Sequence, residues 1–133
     1  MPPLRISRPE STPQVVTGDV VSGEMRAKLG DGDLGTAVRT YHPGSESELQ
    51  LFEVAVEPDA LIGQHAHGED EIIYVLDGEL RLGRQVLTRG ASVYIPGGTL
   101  YSFRAGPEGL RFLNFRARQD RTYLTKQELV ANR

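Results

Sequence analysis

Cysteine is absent from all 133 residues. That single absence excludes disulfide frameworks, thiolate zinc sites, iron–sulfur clusters and cysteine nucleophiles, and it leaves histidine and carboxylate as the only strong metal ligands. A charge excess is lacking too. Fifteen Lys and Arg face 18 Asp and Glu, for a formal net charge of −3, so the chain has no basic field of the kind that phosphate-dominated recognition needs, and no nucleic-acid partner is expected. No apolar run approaches the roughly 18 residues of a membrane span. The opening Met1-Pro2-Pro3-Leu4-Arg5 has no apolar signal-peptide stretch. We expect a soluble, cytoplasmic protein with no membrane partner. Internal repeats, heptads and low-complexity blocks are also missing, and the length is just under the roughly 150 residues usual for one domain, which predicts a single core.

What is present is punctuation. Fifteen glycines and eight prolines cut the chain into segments of four to nine residues rich in Val, Ile, Leu, Tyr and Phe, the pattern of an all-β, antiparallel barrel or sandwich. Nine strands are predicted: Gly35 to Tyr41, Glu48 to Glu57, Ala60 to Ala66, Glu71 to Leu76, Glu79 to Leu82, Gln85 to Thr88, Ser92 to Ile95, Leu100 to Arg104 and Leu110 to Arg116. Asp77-Gly78 reads as a type I′ hairpin turn between the fourth and fifth. Pro2, Pro3, Pro9 and Pro13 mark residues 1–30 as an arm, with one edge strand around Gln14 to Val21, ahead of a barrel domain over 31–120. Thr125-Lys126-Gln127-Glu128 fits a capping box and predicts a short helix in a tail over 121–133. Glu71 to Leu76 holds five consecutive apolar residues instead of alternating, which predicts cover on both faces, the outer one by a second sheet or a second subunit. A homodimer is the expected assembly.

Three histidines are present, His42, His65 and His67. His65 and His67 stand two apart at the end of a predicted strand, and if the extended conformation runs on to His67 their rings share one face with Cα atoms about 6 to 7 Å apart. A turn over Gly68-Glu69-Asp70 would bring Glu71 alongside. Two nitrogens and a carboxylate oxygen can hold a divalent ion and leave positions open, as in catalytic zinc and 2-His-1-carboxylate iron sites. An H-x-H at a strand end also occurs as ordinary polar surface, and this sequence alone leaves both meanings open. His42 is a weaker candidate, because Pro43-Gly44 ends its strand.

The stretch His65-Ala66-His67-Gly68-Glu69-Asp70-Glu71 followed by Gly78 resembles the first motif of the cupin superfamily, and Gly90, Pro96 and Gly98 match the second in order and spacing. The resemblance implies a jelly-roll (double-stranded β-helix) barrel, commonly dimeric, with His65, His67 and Glu71 as ligands of a divalent metal such as Fe(II), Zn, Mn or Ni near one open end. Two departures stand out. Asp59 occupies a place where the first motif has glycine, with Gly63 nearer the histidines, and Tyr101 stands where the second motif has its histidine ligand. Three roles for Tyr101 remain open: a hydroxyl orienting metal-bound water, a phenolate ligand, or a space-filling aromatic.

If Tyr101 points inward, Phe103 does as well, and Ile73 and Val75 follow Glu71. These three would line a largely apolar substrate pocket, though plain core packing is the favoured account of all three. The resemblance thus implies a metal-dependent enzyme acting on a small organic molecule, with Tyr101 and Glu71 in catalytic roles. Its chemistry would be dioxygenase-like cleavage of an enolic or phenolic substrate, or a non-redox isomerase, cyclase or lyase reaction. The rival is a non-catalytic module or sensor that binds a small ligand.

Overall fold

The structure, a computed structural model, describes residues 2–131. Met1 of the expected arm and residues 132–133 of the expected tail lie outside the described residues. Eight strands form one antiparallel sheet: β1 (Gln14–Val16), β2 (Ala37–His42), β3 (Gln50–Val56), β4 (Leu61–His65), β5 (Glu71–Leu82), β6 (Gln85–Leu87), β7 (Ser92–Ile95) and β8 (Tyr101–Arg116). The path runs β1-β2-β3-β8-β5-β6, with β4 on β8 and β7 on β5. Three short helices, α1 (Thr17–Val20), α2 (Gly23–Lys28) and α3 (Asp31–Leu34), precede β2, and α4 (Lys126–Ala131) follows the barrel. The fold is the jelly-roll barrel with a short C-terminal helix. No helix among the described residues is long and apolar enough to cross a membrane.

β5 and β8 are the two long strands, and they pair from Glu71 opposite Arg116 to Arg81 opposite Arg104. Each replaces two of the predicted strands. Asp77-Gly78 is therefore not a hairpin turn but lies within β5, where the register slips on both sides of it. Gly78 has φ +76°, and a Cβ on it would meet the Gly109 carbonyl oxygen at 2.1 Å. The glycine serves a close strand crossing and a bulge, two uses that share the local signature of a tight turn.

Inward residues alternate along β5. Glu71, Ile73 and Val75 are buried, whereas Ile72 and Tyr74 point out and stay 37% and 44% exposed. The chain by itself covers one face of this segment and, among the described residues, lays no second sheet over the outer one, so of the two expected covers the second sheet is absent. Ile73, Val75, Leu80, Phe103, Leu110 and Phe112 form the centre of the core. At roughly 1.5–3 kcal/mol for each large apolar side chain removed from water, this cluster is the main stabilising contribution of the barrel.

The N-terminal stretch is more than an arm. Its edge strand β1 pairs with β2 as expected, but α1 to α3 then fold across the open end of the barrel. Gly32 allows α3 to lie directly on β4, since a Cβ there would meet the Leu61 carbonyl oxygen at 2.1 Å. The buried Asp33 carboxylate accepts from Gly30 N (3.0 Å) and Gly63 N (3.4 Å), tying the helix to the strand that carries His65. At the other end, Thr125 and Glu128 form the predicted capping box, with Glu128 N donating to Thr125 Oγ1 at 3.3 Å. Lys28 of α2 reaches Glu128 at 2.9 Å and the Tyr123 carbonyl at 3.1 Å, joining the two terminal segments over the barrel mouth.

Candidate active site

A cavity of about 290 Å³ opens under these segments. Its walls are mostly apolar: Val38, Phe52, Val54, Ile62, Ile73, Phe103 and Phe112 from the barrel, with Met25 of α2 and Val21 and Leu29, the residues that follow α1 and α2. The polar end carries His65, His67, Tyr101, Asn114, Arg116 and Tyr123. Of the expected pocket residues, Ile73 and Phe103 line it, while Val75 does not: it is wholly buried in the core, two residues deeper along β5. His42 lies elsewhere, at the end of β2 beside a separate cleft with Tyr41 and Leu51.

Both histidines are held by their Nδ1 atoms. His65, the last residue of β4, bonds the carbonyl of Gly63 at 2.7 Å, and His67, in the loop beyond, bonds that of Thr122 at 2.6 Å. A carbonyl can only accept, so each Nδ1 carries the proton and each Nε2 presents a lone pair. Neither Nε2 takes a hydrogen bond among the described residues. The rings stand 4.8 Å apart and nearly perpendicular, and Tyr123 stacks on His65 at 4.6 Å. Burial pushes both imidazoles below their ordinary pKa, and the Arg116 charge adds to this at His67. Burial also raises the Tyr123 phenol to about 12.

The loop that carries His67 is tied down from the C-terminal side. Gly68 N donates to Thr122 Oγ1 (2.6 Å), Glu69 N donates to Asp120 Oδ2 (2.8 Å), and Ala66 and Leu124 exchange backbone bonds at 2.8 Å.

Glu71 sits behind the cavity wall, 2% exposed. Its Oε2 accepts from Arg116 Nε and Nη2 at 2.9 and 2.8 Å and from Asn114 Nδ2 at 3.4 Å, and its Oε1 accepts from the Tyr101 hydroxyl. Burial, and then the Glu71 charge, pushes the Tyr101 phenol far above the ordinary tyrosine range. Such a hydroxyl keeps its proton and acts as a fixed hydrogen-bonding group. Arg116 is buried as well. Its Nη1 donates to the Asp120 carbonyl at 3.3 Å, and the guanidinium lies 5.2 Å over the Phe52 ring.

The donor set bears directly on a metal. The two imidazoles fit one, since their free Nε2 atoms are of the ligating kind and their Nδ1 bonds supply the usual orienting contacts. Glu71 as placed does not, because a guanidinium already provides the positive charge its carboxylate faces. Among the described residues no group of three or more His, Cys, Asp or Glu is arranged to hold a metal ion.

Sequence reasoning did not single out Asn114, Arg116, Tyr123 or the α1–α3 residues. A signal existed for the first two. Leu110, Phe112, Asn114 and Arg116 alternate on one face of a strand, and polar side chains continuing an inward apolar row mark a buried polar cluster. Tyr123 carries no such signal, since its position depends on where the tail returns.

Residues 52–115 match the Cupin_2 family, a cupin domain. No curated protein matches the chain. Among solved structures, the polyketide cyclase RemF from Streptomyces resistomycificus is 27% identical over 68% of this chain and 70% of its own, with a TM-score of 0.59. An RmlC-like cupin protein from Ralstonia eutropha JMP134 is 14% identical over 91% of this chain and 72% of its own, at TM-score 0.68. Oxalate decarboxylase from Bacillus subtilis, a protein with Mn(II) centres, is 21% identical over 74% of this chain but only 30% of its own, at TM-score 0.59. The last two likenesses show the fold alone.

Proposed function

Because this chain carries a small domain of the cupin superfamily, we propose that it is a non-redox enzyme that moves protons on a small, enolisable organic molecule, as a cyclase or isomerase does. The observation that carries this reading is the pair of imidazoles whose Nδ1 protons are committed to backbone carbonyls, so that two Nε2 bases stand together at the polar end of an apolar cavity. The similarity to a polyketide cyclase supports the same class.

In this reading one Nε2 removes a proton from carbon next to a carbonyl, becomes an imidazolium and returns the proton to carbon or to the enolate oxygen, while the lone pair of the second imidazole, 4.8 Å away, offers an acceptor for the transferred proton. The apolar walls orient the carbon skeleton and exclude water. Tyr101 and Glu71 act through position: the carboxylate fixes the phenol and Arg116, and together they shape the wall beside the imidazoles. Positioned general bases typically contribute about 10²- to 10⁴-fold.

The test is proton exchange at carbon. α-Tetralone in D₂O, followed by NMR, should exchange its α-protons faster with the wild type than in buffer, and His65→Gln or His67→Gln should remove at least about 10²-fold of that gain. Exchange at the buffer rate, or exchange indifferent to both substitutions, defeats the reading. Ligand binding without exchange would point to a binding module instead.

A second reading, metal-dependent catalysis, is favoured by the same free Nε2 atoms. It requires Glu71 to give up Arg116 or another donor to complete the set, and the dioxygenase-like option depends on it. Divalent metal bound in stoichiometric amount by protein purified without an affinity tag, and lost in both histidine variants, would establish that site.

A further inference from the structure

Four hydroxyl groups line the cavity, those of Thr17, Thr36, Tyr101 and Tyr123. Three are committed within the protein. Thr17 and Thr36 bond each other at 2.7 Å, Thr36 also donates to the Asp33 carbonyl at 2.7 Å, and Tyr101 donates to Glu71. The Tyr123 hydroxyl makes no hydrogen bond among the described residues. The Asp33 carboxylate near it accepts from Gly30 N and Gly63 N instead. Nor is the phenol sealed into the wall, since the residue is only partly buried and its oxygen stays accessible. Burial nevertheless raises it to about 12, so the oxygen sits in the recess and not in bulk water. An accessible, partly desolvated O–H without a partner is a donor open to a ligand.

Its place is fixed by its neighbours in the chain. Thr122 accepts from His67 through its carbonyl, the Tyr123 carbonyl accepts from Lys28 at 3.1 Å, and Leu124 exchanges backbone bonds with Ala66. From that anchored segment the Tyr123 ring lies on His65, with centroids 4.6 Å apart and planes 7° from parallel. The hydroxyl is thus carried on the ring that covers the imidazole whose Nε2 lone pair is free. A ligand that offers a proton to that nitrogen and an oxygen to the phenol must hold the two groups close together, and a carbonyl with its adjacent carbon does so.

We propose that Tyr123 is a further catalytic residue, its hydroxyl donating a hydrogen bond to the carbonyl oxygen of a ketone ligand and to the enolate oxygen that this carbonyl becomes. The α-proton passes from carbon to Nε2, its electron pair moves onto the carbonyl oxygen, and the phenol keeps its own proton. The bond strengthens as charge gathers on that oxygen, which places its largest effect in the transition state. The chemistry rests on the proton-transfer reading, whereas the contact with the carbonyl is measurable without turnover.

Tyr123→Phe tests it, because the substitution removes the oxygen and keeps the ring on His65. α-Tetralone and the hydrocarbon tetralin are titrated into the full chain by calorimetry, and α-proton exchange is followed in D₂O at saturating ketone. The substitution should weaken α-tetralone by roughly three- to tenfold, the worth of one neutral hydrogen bond. Tetralin should be unaffected, which certifies that the cavity is intact. The saturated exchange rate should fall by about 10²-fold. The infrared carbonyl stretch of bound α-tetralone should lie lower in the wild type than in the variant. Equal losses for both ligands, unchanged ketone affinity, an unchanged saturated rate, an unmoved carbonyl stretch, or no binding of either ligand overturns the proposal. Should the wild type not speed exchange at all, the proton-transfer reading falls, while a ketone-selective loss in Tyr123→Phe would still uphold the hydrogen bond to the carbonyl. Exchange lost in both histidine variants but indifferent to Tyr123→Phe strikes Tyr123 and leaves that reading standing.

Discussion

Replacing Glu71 by glutamine keeps the shape of the side chain and removes its charge. Glu71 and Arg116 have side-chain exposures of 1% and 7%, so the pair belongs with buried ion pairs and not with the surface pairs that contribute little. Breaking a buried pair from one side costs about 3–5 kcal/mol, mostly because the surviving charge is left without compensation. Arg116 would keep the Asp120 carbonyl at 3.3 Å and the face of Phe52 at 5.2 Å, which favours the lower end, about 3 kcal/mol. For a chain of this length that is a fall in Tm of roughly 10 °C. Thermal melts by circular dichroism and urea midpoints measure it. A change within about 0.5 kcal/mol, the range of an ordinary surface substitution, would refute the claim that the carboxylate holds Arg116. The double variant Glu71→Leu/Arg116→Met should be less destabilised than the two single variants added together, since removing both charges leaves none stranded. Strict additivity would show that the two side chains act independently.

Tyr101→Phe should leave the fold intact but free Glu71 Oε1, and α-proton exchange should fall by about tenfold or more; unchanged exchange removes the hydroxyl from the site. A homodimer is expected in solution, with the exposed row Ile72, Tyr74, Tyr94 and Phe115 against a second copy. Light scattering should show two chains for the wild type and one for Tyr94→Glu, and a concentration-independent monomer for the wild type refutes it. The hydrogen bond from Lys28 holds the Glu128 carboxyl below the usual carboxylate range. Its contribution is therefore present above the unfolded-state pKa and is lost as pH falls through the lower folded value. Amide exchange across α1–α3 should rise in that acidic window in the wild type, and Glu128→Gln should show the faster exchange already at neutral pH.

The sequence made some of this legible and hid the rest for identifiable reasons. Period-2 spacing set His65, Tyr101 and Phe103 on the cavity side, and the capping signature at Thr125 placed α4. Both are local rules, satisfied by residues within four positions of each other. Asp77-Gly78 misled because a glycine needed for a close crossing with Gly109 carries the same signature as one needed for a turn, and only the partner strand tells them apart. Val75 was assigned to the pocket because alternation specifies a face but not depth: the cavity reaches Ile73 and stops. Glu71 was read with the histidines through their nearness along the chain, whereas the residue that claims its charge, Arg116, lies 45 positions away across the β5–β8 ladder.

The roof over the cavity is made by the stretches on either side of the barrel, α1 to α3 and residues 119–125, whereas the family match covers residues 52–115. Met25, Leu29 and Tyr123 lie outside that stretch, and Arg116 lies one residue beyond it. Two proteins could therefore agree throughout the matched segment and still close over different molecules. For this architecture, part of the choice of ligand is written outside the matched segment, and exchanging α1 to α3 between relatives would alter the roof while leaving the imidazole pair and its Thr122 tether in place.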